Sequence, residues 1–315
     1  MTVTVLAFQI ILPLALLAWL AFRPAGRLAF FALQAVGIGS FLFALARVAQ
    51  WAVPVWWAPW LYGALWLACI LLRLVGVRRY RSGLEAWLGA GLSVVLMGVG
   101  GWFGLQALEG RQLPSVEVVD IGNPFGPGHF LVASGGSNML INAHMKTLDP
   151  GVERYQAWRG QSYAVDFFGL GPWGLRASGW RPADPAAYAI FGTELRAPCA
   201  GEVIAAEGSM PDFEVPRHDE VNRLGNHVIL RCNDVEIVLA HMRQGSLNVT
   251  PGASVETGER LGEVGNSGAS LEPHLHIHAQ SPASTGAPPI SGDPLALRID
   301  GRYLVRGDRM TGADG

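Results

Sequence analysis

Three histidines alternate along one short segment, Pro273-His274-Leu275-His276-Ile277-His278. In a β-strand successive side chains point to opposite faces. His274, His276 and His278 then share one face, and Leu275 and Ile277 point the other way, into a core. Imidazoles a few ångströms apart repel one another when charged. A metal ion resolves this by taking neutral imidazole as a ligand, and a solvated polar face is the alternative. Zinc suits such a donor set, because a catalytic zinc keeps three protein ligands and one open position for a water whose pKa falls to about 7. A carboxylate is a fitting partner for histidine ligands. Asp166 lies in Tyr163-Ala164-Val165-Asp166-Phe167, an alternating segment whose apolar neighbours bury it. A buried carboxylate is costly unless it is paired or bound to a metal. His241 ends the run Val235-Glu236-Ile237-Val238-Leu239-Ala240-His241. There it can face the histidine strand and act as general acid/base or orient an attacking water.

The elements that must position these residues read as β. Short alternating segments recur at 201–205, 227–231, 235–241, 260–264 and 274–279, with turn residues between them, such as Asn233-Asp234, Pro251-Gly252 and Asn266-Ser267-Gly268. Many short strands at such spacing predict a sandwich or barrel. Residues 170–190 and 207–224 read as inserted loops. After Gln280 comes a Pro/Ser/Gly linker, then a predicted hairpin, 295–299 with 303–306, about the turn Asp300-Gly301. Cys199 and Cys232 flank strands of this region and are expected to form a disulfide in an oxidising compartment. Cys69 lies apart from them, in an apolar run.

The first third of the chain has a different chemistry. Half of the 315 residues are hydrophobic and 15% are charged, against about 25% charged in an ordinary soluble protein. Residues 1–110 hold seven arginines and two acidic residues, Glu85 and Glu109, and all eight histidines come later. Four apolar runs, 3–22, 28–46, 56–72 and 86–105, are each of a length to cross a bilayer and carry no internal charge. Trp51, Trp56, Trp57 and Trp60 cluster as an aromatic belt would. Arg23 and Arg27 mark the first connection, and Arg73, Arg78, Arg79 and Arg81 the third. The positive-inside rule puts these in the cytoplasm, and the N-terminus and everything from residue 111 onward outside it. The expected organisation is a four-helix transmembrane region (1–110), a connector (111–137), an all-β domain (138–280), and a C-terminal linker and β-hairpin (281–315). The exported part is acidic, which excludes the basic footprint of a nucleic-acid binder. The lipid bilayer is the expected partner of the first part.

Several short motifs between about residues 140 and 280 stand together in one order. They are Ala164-Val165-Asp166-Phe167, Ala197-Pro198 followed by Gly201-Glu202-Val203, and Gly225-Asn226-His227-Val228-Ile229-Leu230. Ala240-His241-Met242, the Gly-rich turn from Gly262 to Gly268 with Ser270, and Pro273-His274-Leu275-His276 follow. In this the chain resembles the lysostaphin-type zinc metallopeptidases, peptidoglycan endopeptidases built on a duplicated-hybrid-motif β fold. The resemblance implies zinc as cofactor, with Asp166 and His276 as ligands. It implies that His241 and His274 are catalytic without binding the metal: they position water and steady the tetrahedral intermediate. It implies hydrolysis of peptide bonds, with the peptide part of peptidoglycan as substrate and partner. One position departs. The family's first zinc ligand is a His four residues before the Asp, and here that residue is Ser162. Three histidines are candidates to replace it, in order of preference His144, His278 and His129. If none does, the domain is a catalytically degenerate one that binds the cell wall or regulates another wall hydrolase.

Overall fold

The computed structural model describes residues 2–23, 27–76 and 83–313. Its chain divides into two compact units, Met1–Glu109 and Gly110–Gly315.

The first unit is helical. Helix α1 (Thr2–Val5) runs through a π-helical segment, Leu6–Ile11, into α2 (Leu12–Phe22). The irregularity has a local cause. Pro13 has no N–H for the carbonyl four residues back, that of Gln9, and the Tyr62 hydroxyl donates to that carbonyl instead, at 2.8 Å. Helices α3 (Leu28–Val48), α4 (Ala58–Gly76) and α5 (Leu84–Glu109) follow. Gln34 on α3 is fully buried and donates to the carbonyl of Arg23, 3.2 Å, beyond the last turn of α2. α3 and α5 approach so closely that a Cβ on Gly100 would strike the backbone of Ser40 and Phe41. The outer surface is apolar: Trp60, Leu72, Leu84, Trp87, Leu88 and Trp102 are all exposed.

Among the described residues two helices, not four, are long and apolar enough to cross a bilayer: Leu28–Val48 and Leu84–Glu109. The other two expected spans fold as the shorter apolar helices Leu6–Phe22 and Ala58–Leu74. Arg78, Arg79 and Arg81 lie outside the described residues.

The second unit is a ten-stranded sheet with a two-stranded ribbon. Its strands are β1 (Val118–Ile121), β2 (His129–Ser134), β3 (Val165–Gly169), β4 (Glu194–Arg196), β5 (Gly201–Glu207) and β6 (Asn226–Cys232). They continue with β7 (Val235–Met242), β8 (Ser254–Val255), β9 (Arg260–Glu263), β10 (Leu275–Gln280), β11 (Pro294–Ile299) and β12 (Arg309–Thr311). The main order is β12-β2-β3-β10-β7-β6-β5-β8, with β11 joined to β10 and β1. Among the described residues only the β1–β11 pairing is parallel.

The sheet does not close into a barrel, since β12 and β8 at its ends do not pair with each other. The β4–β9 ribbon covers the open face instead. Leu195 of β4 and Leu261 of β9 enter the same core as Val165, Phe167, Leu239, Leu275 and Ile277. Residues 111–137, expected to be a connector, contain β1 and β2. The expected C-terminal hairpin is half formed. Asp300 and Gly301 both take positive φ, as a two-residue turn between strands demands, and Ile299 bridges to Arg302. Its second arm is not a strand, and the chain runs on to β12, which pairs with β2. Hydrogen bonding to the sheet has recruited both segments, because edge strands otherwise leave N–H and C=O groups unpaired. Cys199 and Cys232 form a disulfide between the entry to β5 and the end of β6.

Candidate metal centre

Strand register makes the site. β10 runs antiparallel between β3 and β7, and His276 stands opposite Asp166 on one side and Ala240 on the other. Alternation then puts Asp166, His276 and His278 on one face and sends Leu275 and Ile277 into the core, as the pattern predicts. Asp166 Oδ1 lies 3.0 Å from His276 Nδ1, across 110 residues of chain.

His241 needs a further device. Ala240 already occupies the His276 face, so a regular strand would turn residue 241 to the core. The β6–β7 register instead passes from His227↔Ala240 to Asn226↔Met242, leaving His241 as an extra residue. Its φ is +62°, a conformation that β-carbon-bearing residues adopt only when held. This bulge re-aims the imidazole toward the site, with ring centres 4.6 Å from His274 and 5.8 Å from His276. His241 Nδ1 bonds the carbonyl of Ser267 at 2.9 Å. His274 Nδ1 lies 2.9 Å from the carbonyl of Glu272 and 3.0 Å from Ser270 Oγ. A carbonyl only accepts, so each Nδ1 carries the proton and each Nε2 is left free to take one. His274 Nε2 lies 4.0 Å from Asp166 Oδ1.

His144 completes the group. Its segment is not a strand but a 3-10 helix, Ala143–Leu148. Asn142 caps it, accepting from His144 N at 3.1 Å and donating to the carbonyls of Gly136 and Ala164. This anchors the segment to the start of β3 and brings His144 Nε2 to 2.8 Å from Asp166 Oδ2. His144, Asp166 and His276 each offer a ligand atom within 4.8 Å of the others'. Ser162 sits in the 3-10 stretch Glu153–Tyr163, fully buried, donating to the carbonyl of Arg159 at 2.6 Å. Its hydroxyl also touches Thr147 Oγ1 at 2.8 Å, and Thr147 donates to the carbonyl of His144. The residue at the family's ligand position therefore braces the segment that carries the replacement. His129, at the exposed start of β2, lies apart, 3.5 Å from Thr311. His278 is buried behind His276, its Nδ1 2.9 Å from His276 Nε2.

The charges suit a cation. Burial works to raise the Asp166 carboxyl, but the charge and hydrogen bond of His144, the hydrogen bond of His276 and the charge of His274 together hold it well below its ordinary range. Burial first, then neighbouring imidazoles, lowers His241 well below its usual value. Burial likewise lowers His276. The site thus presents an ionised carboxylate at Asp166 and a neutral imidazole at His276, the forms that ligate zinc.

Three supports carry no sequence signal. Arg176, from the inserted loop 170–190, makes a buried ion pair with Glu272 at 2.9 Å, directly beneath His274. Asp212, from the loop 207–224, accepts from Asn266 N at 2.6 Å, and Val215 N bonds Ala183 O to join the two loops. Arg306 donates to the carbonyls of Ala133 and Leu140, steadying the turn before His144, and burial pushes it down to about 10. Each is a long-range pairing of common residues.

Residues 185–288 match Peptidase family M23. The resemblance read from the motifs is borne out. The M23 match contains His241, His274, His276 and His278 but begins after His144 and Asp166, which join them through the fold. Lysostaphin, in its solution structure, is 22% identical over 39% of this chain and 38% of its own, with a TM-score of 0.25. The peptidase lysostaphin from Staphylococcus simulans is 23% identical over 38% of each chain, TM-score 0.25. A zinc-containing peptidase from Vibrio cholerae is 17% identical over 37% of this chain and 46% of its own, TM-score 0.23. The matched part thus spans less than half of each of these proteins. No curated protein sequence matches the chain.

Proposed function

We propose that the protein is a membrane-anchored zinc metalloendopeptidase that hydrolyses peptide bonds in peptidoglycan. The observation that supports it most is the convergence of His144 Nε2, both Asp166 oxygens and His276 Nδ1 beside two imidazoles that carbonyl groups hold by Nδ1. His144, Asp166 and His276 are the residues that would hold the ion. Zinc bound there supplies a Lewis acid that polarises the scissile carbonyl and acidifies water. His241 and His274 would do the rest from their Nε2 atoms: one takes the proton of the attacking water and hands that proton on to the leaving amine, and the other, when protonated at Nε2, donates to the developing oxyanion. The depressed basicity of His241 keeps it in the neutral, proton-accepting form at neutral pH.

Anchoring rests on α3 and α5, whose length and exposed apolar side chains suit a bilayer. Arg73, Arg78, Arg79 and Arg81 precede α5, which favours that end in the cytoplasm and the β unit outside it. The Cys199–Cys232 disulfide fits an oxidising compartment.

The test uses the full chain in detergent, with zinc content measured alongside release of peptide fragments from purified peptidoglycan. The wild type should hold about one zinc and release fragments. His241→Ala and His274→Ala should keep the zinc and lose about 10²–10⁴-fold in rate, the range for removing a general acid or base. A zinc-loaded wild type that releases nothing would favour the second reading, a degenerate wall-binding or regulatory domain, for which Ser162 at the family's ligand position is the supporting observation.

A further inference from the structure

His276 is one member of a longer polar row. Along β10 the residues on the site face are His276, His278 and Gln280, and all three are buried. His276 Nε2 and His278 Nδ1 are 2.9 Å apart. At the far end Gln280 Nε2 lies 3.0 Å from Glu236 Oε2 on β7 and 2.8 Å from the carbonyl of Pro289. Glu236 is in turn ion-paired through Oε1 with Arg231, whose side chain reaches solvent. A buried polar row of this kind is costly unless every member is satisfied.

The end groups determine the direction of every bond. A carboxylate and a carbonyl can only accept, so the Gln280 atom between Glu236 and Pro289 is the NH₂, and Oε1 is left over. Two buried atoms then lack any other partner, Gln280 Oε1 and His278 Nε2. They belong to side chains two residues apart on the same buried face, one an amide oxygen and the other a ring nitrogen able to donate. An oxygen there can only accept, so His278 Nε2 carries the proton and His278 Nδ1 does not. His278 Nδ1 must then accept from His276 Nε2–H. This leaves His276 Nδ1 as a lone pair aimed at Asp166 Oδ1, 3.0 Å away. Two acceptors so placed call for a cation between them.

We propose that Glu236, Gln280 and His278 form a positioning relay that fixes His276 in its Nε2–H tautomer, so that Nδ1 is presented to the metal. The relay rests on the reading of His276 as a zinc ligand. It assigns His278 to orienting that ligand, not to coordinating the ion, and it gives a function to a buried carboxylate on the neighbouring strand β7, opposite Gln280. Groups that orient a ligating imidazole in this way are worth 10–100-fold in metal affinity.

The experiment measures zinc affinity of the full chain in detergent by competition with a chromophoric chelator, with thermal unfolding of each apo variant as a check on folding. His278→Phe keeps the ring and removes the acceptor, and should weaken zinc ~10–100-fold. His278→Glu restores an acceptor for His276 Nε2–H and should recover most of that loss, which a merely space-filling role would not. Gln280→Leu leaves both imidazoles in place and should weaken zinc by several-fold. It keeps the proposal testable if the His278 variants fail to fold. Affinities within twofold of wild type for His278→Phe or Gln280→Leu overturn the relay. A loss beyond ~1,000-fold in His278→Phe that His278→Glu does not recover, with no effect of Gln280→Leu, means His278 is itself a ligand and also overturns it. A wild type that binds no zinc overturns the metal centre first and the relay with it, an outcome visible before any variant is made.

Discussion

Replacing His144 by alanine tests the least expected part of the site. The chain should lose zinc while remaining folded. In the apo protein His144 makes one contact of consequence, 2.8 Å to Asp166, and both side chains are nearly one-fifth exposed. A charge-assisted hydrogen bond discounted for solvent screening is worth about 1 kcal/mol, a small part of a domain's stability. The metal-bound state is affected far more. Zinc held by four protein ligands gains about 10–16 kcal/mol, or ~3 kcal/mol per ligand, and at 1.4 kcal/mol per decade that is about 100-fold in affinity. Chelator competition on His144→Ala reads this directly, with His129→Ala as the control expected to match wild type. A second variant sharpens the logic. The double substitution His144→Ala with Ser162→His puts a histidine back at the family's position, yet it should not restore zinc. Ser162 is fully buried between the Arg159 carbonyl and Thr147, and an imidazole there overpacks the turn, costing ~1–3 kcal/mol. Zinc affinity within threefold of wild type in His144→Ala, or its recovery in the double variant, would refute the reasoning.

Two further outcomes follow from the buried groups. His241, His276 and His278 all have folded-state pKa values lowered from the ordinary value of 6.5, chiefly by burial. Above that value both folded and unfolded chains hold them neutral. Below it the unfolded chain takes up protons that the folded one refuses, so apo stability should fall as pH drops, by up to ~1.4 kcal/mol per pH unit for each histidine. Denaturant titrations of the apo chain that give a constant free energy from pH 7.5 to 5.5 would contradict this. Cys199→Ser with Cys232→Ser opens a loop spanning 33 residues. Chain entropy then predicts a loss of about 4 kcal/mol at most, and a variant as stable as wild type would show that the crosslink contributes nothing.

Much of the site was legible because strand alternation is local. The grouping of His276 with His278, the burial of Leu275 and Ile277, and the placing of Asp166 on a strand needed only a period of two. The division into an apolar helical part and a histidine-bearing β part was equally plain from composition. What the alternation could not reveal was which strands become neighbours. It did not reveal that Asn142 caps a 3-10 turn, and it took 111–137 as a connector and 303–306 as a hairpin arm, where β1, β2 and β12 join the sheet instead. Run length alone also counted four membrane spans, where two helices among the described residues are long and apolar enough to cross a bilayer.

By itself, then, the sequence determined the chemistry available: imidazoles and a carboxylate on β-strands, in the order of a known peptidase family. The tertiary structure alone decided how they meet. The β3–β10–β7 register sets Asp166 beside His276, and a bulge turns His241 out of the core. A capped 3-10 turn delivers His144 while Ser162 props it from behind. These are contacts between residues tens to more than a hundred positions apart, fixed by hydrogen-bond pairing and burial in three dimensions, and no local pattern encodes them.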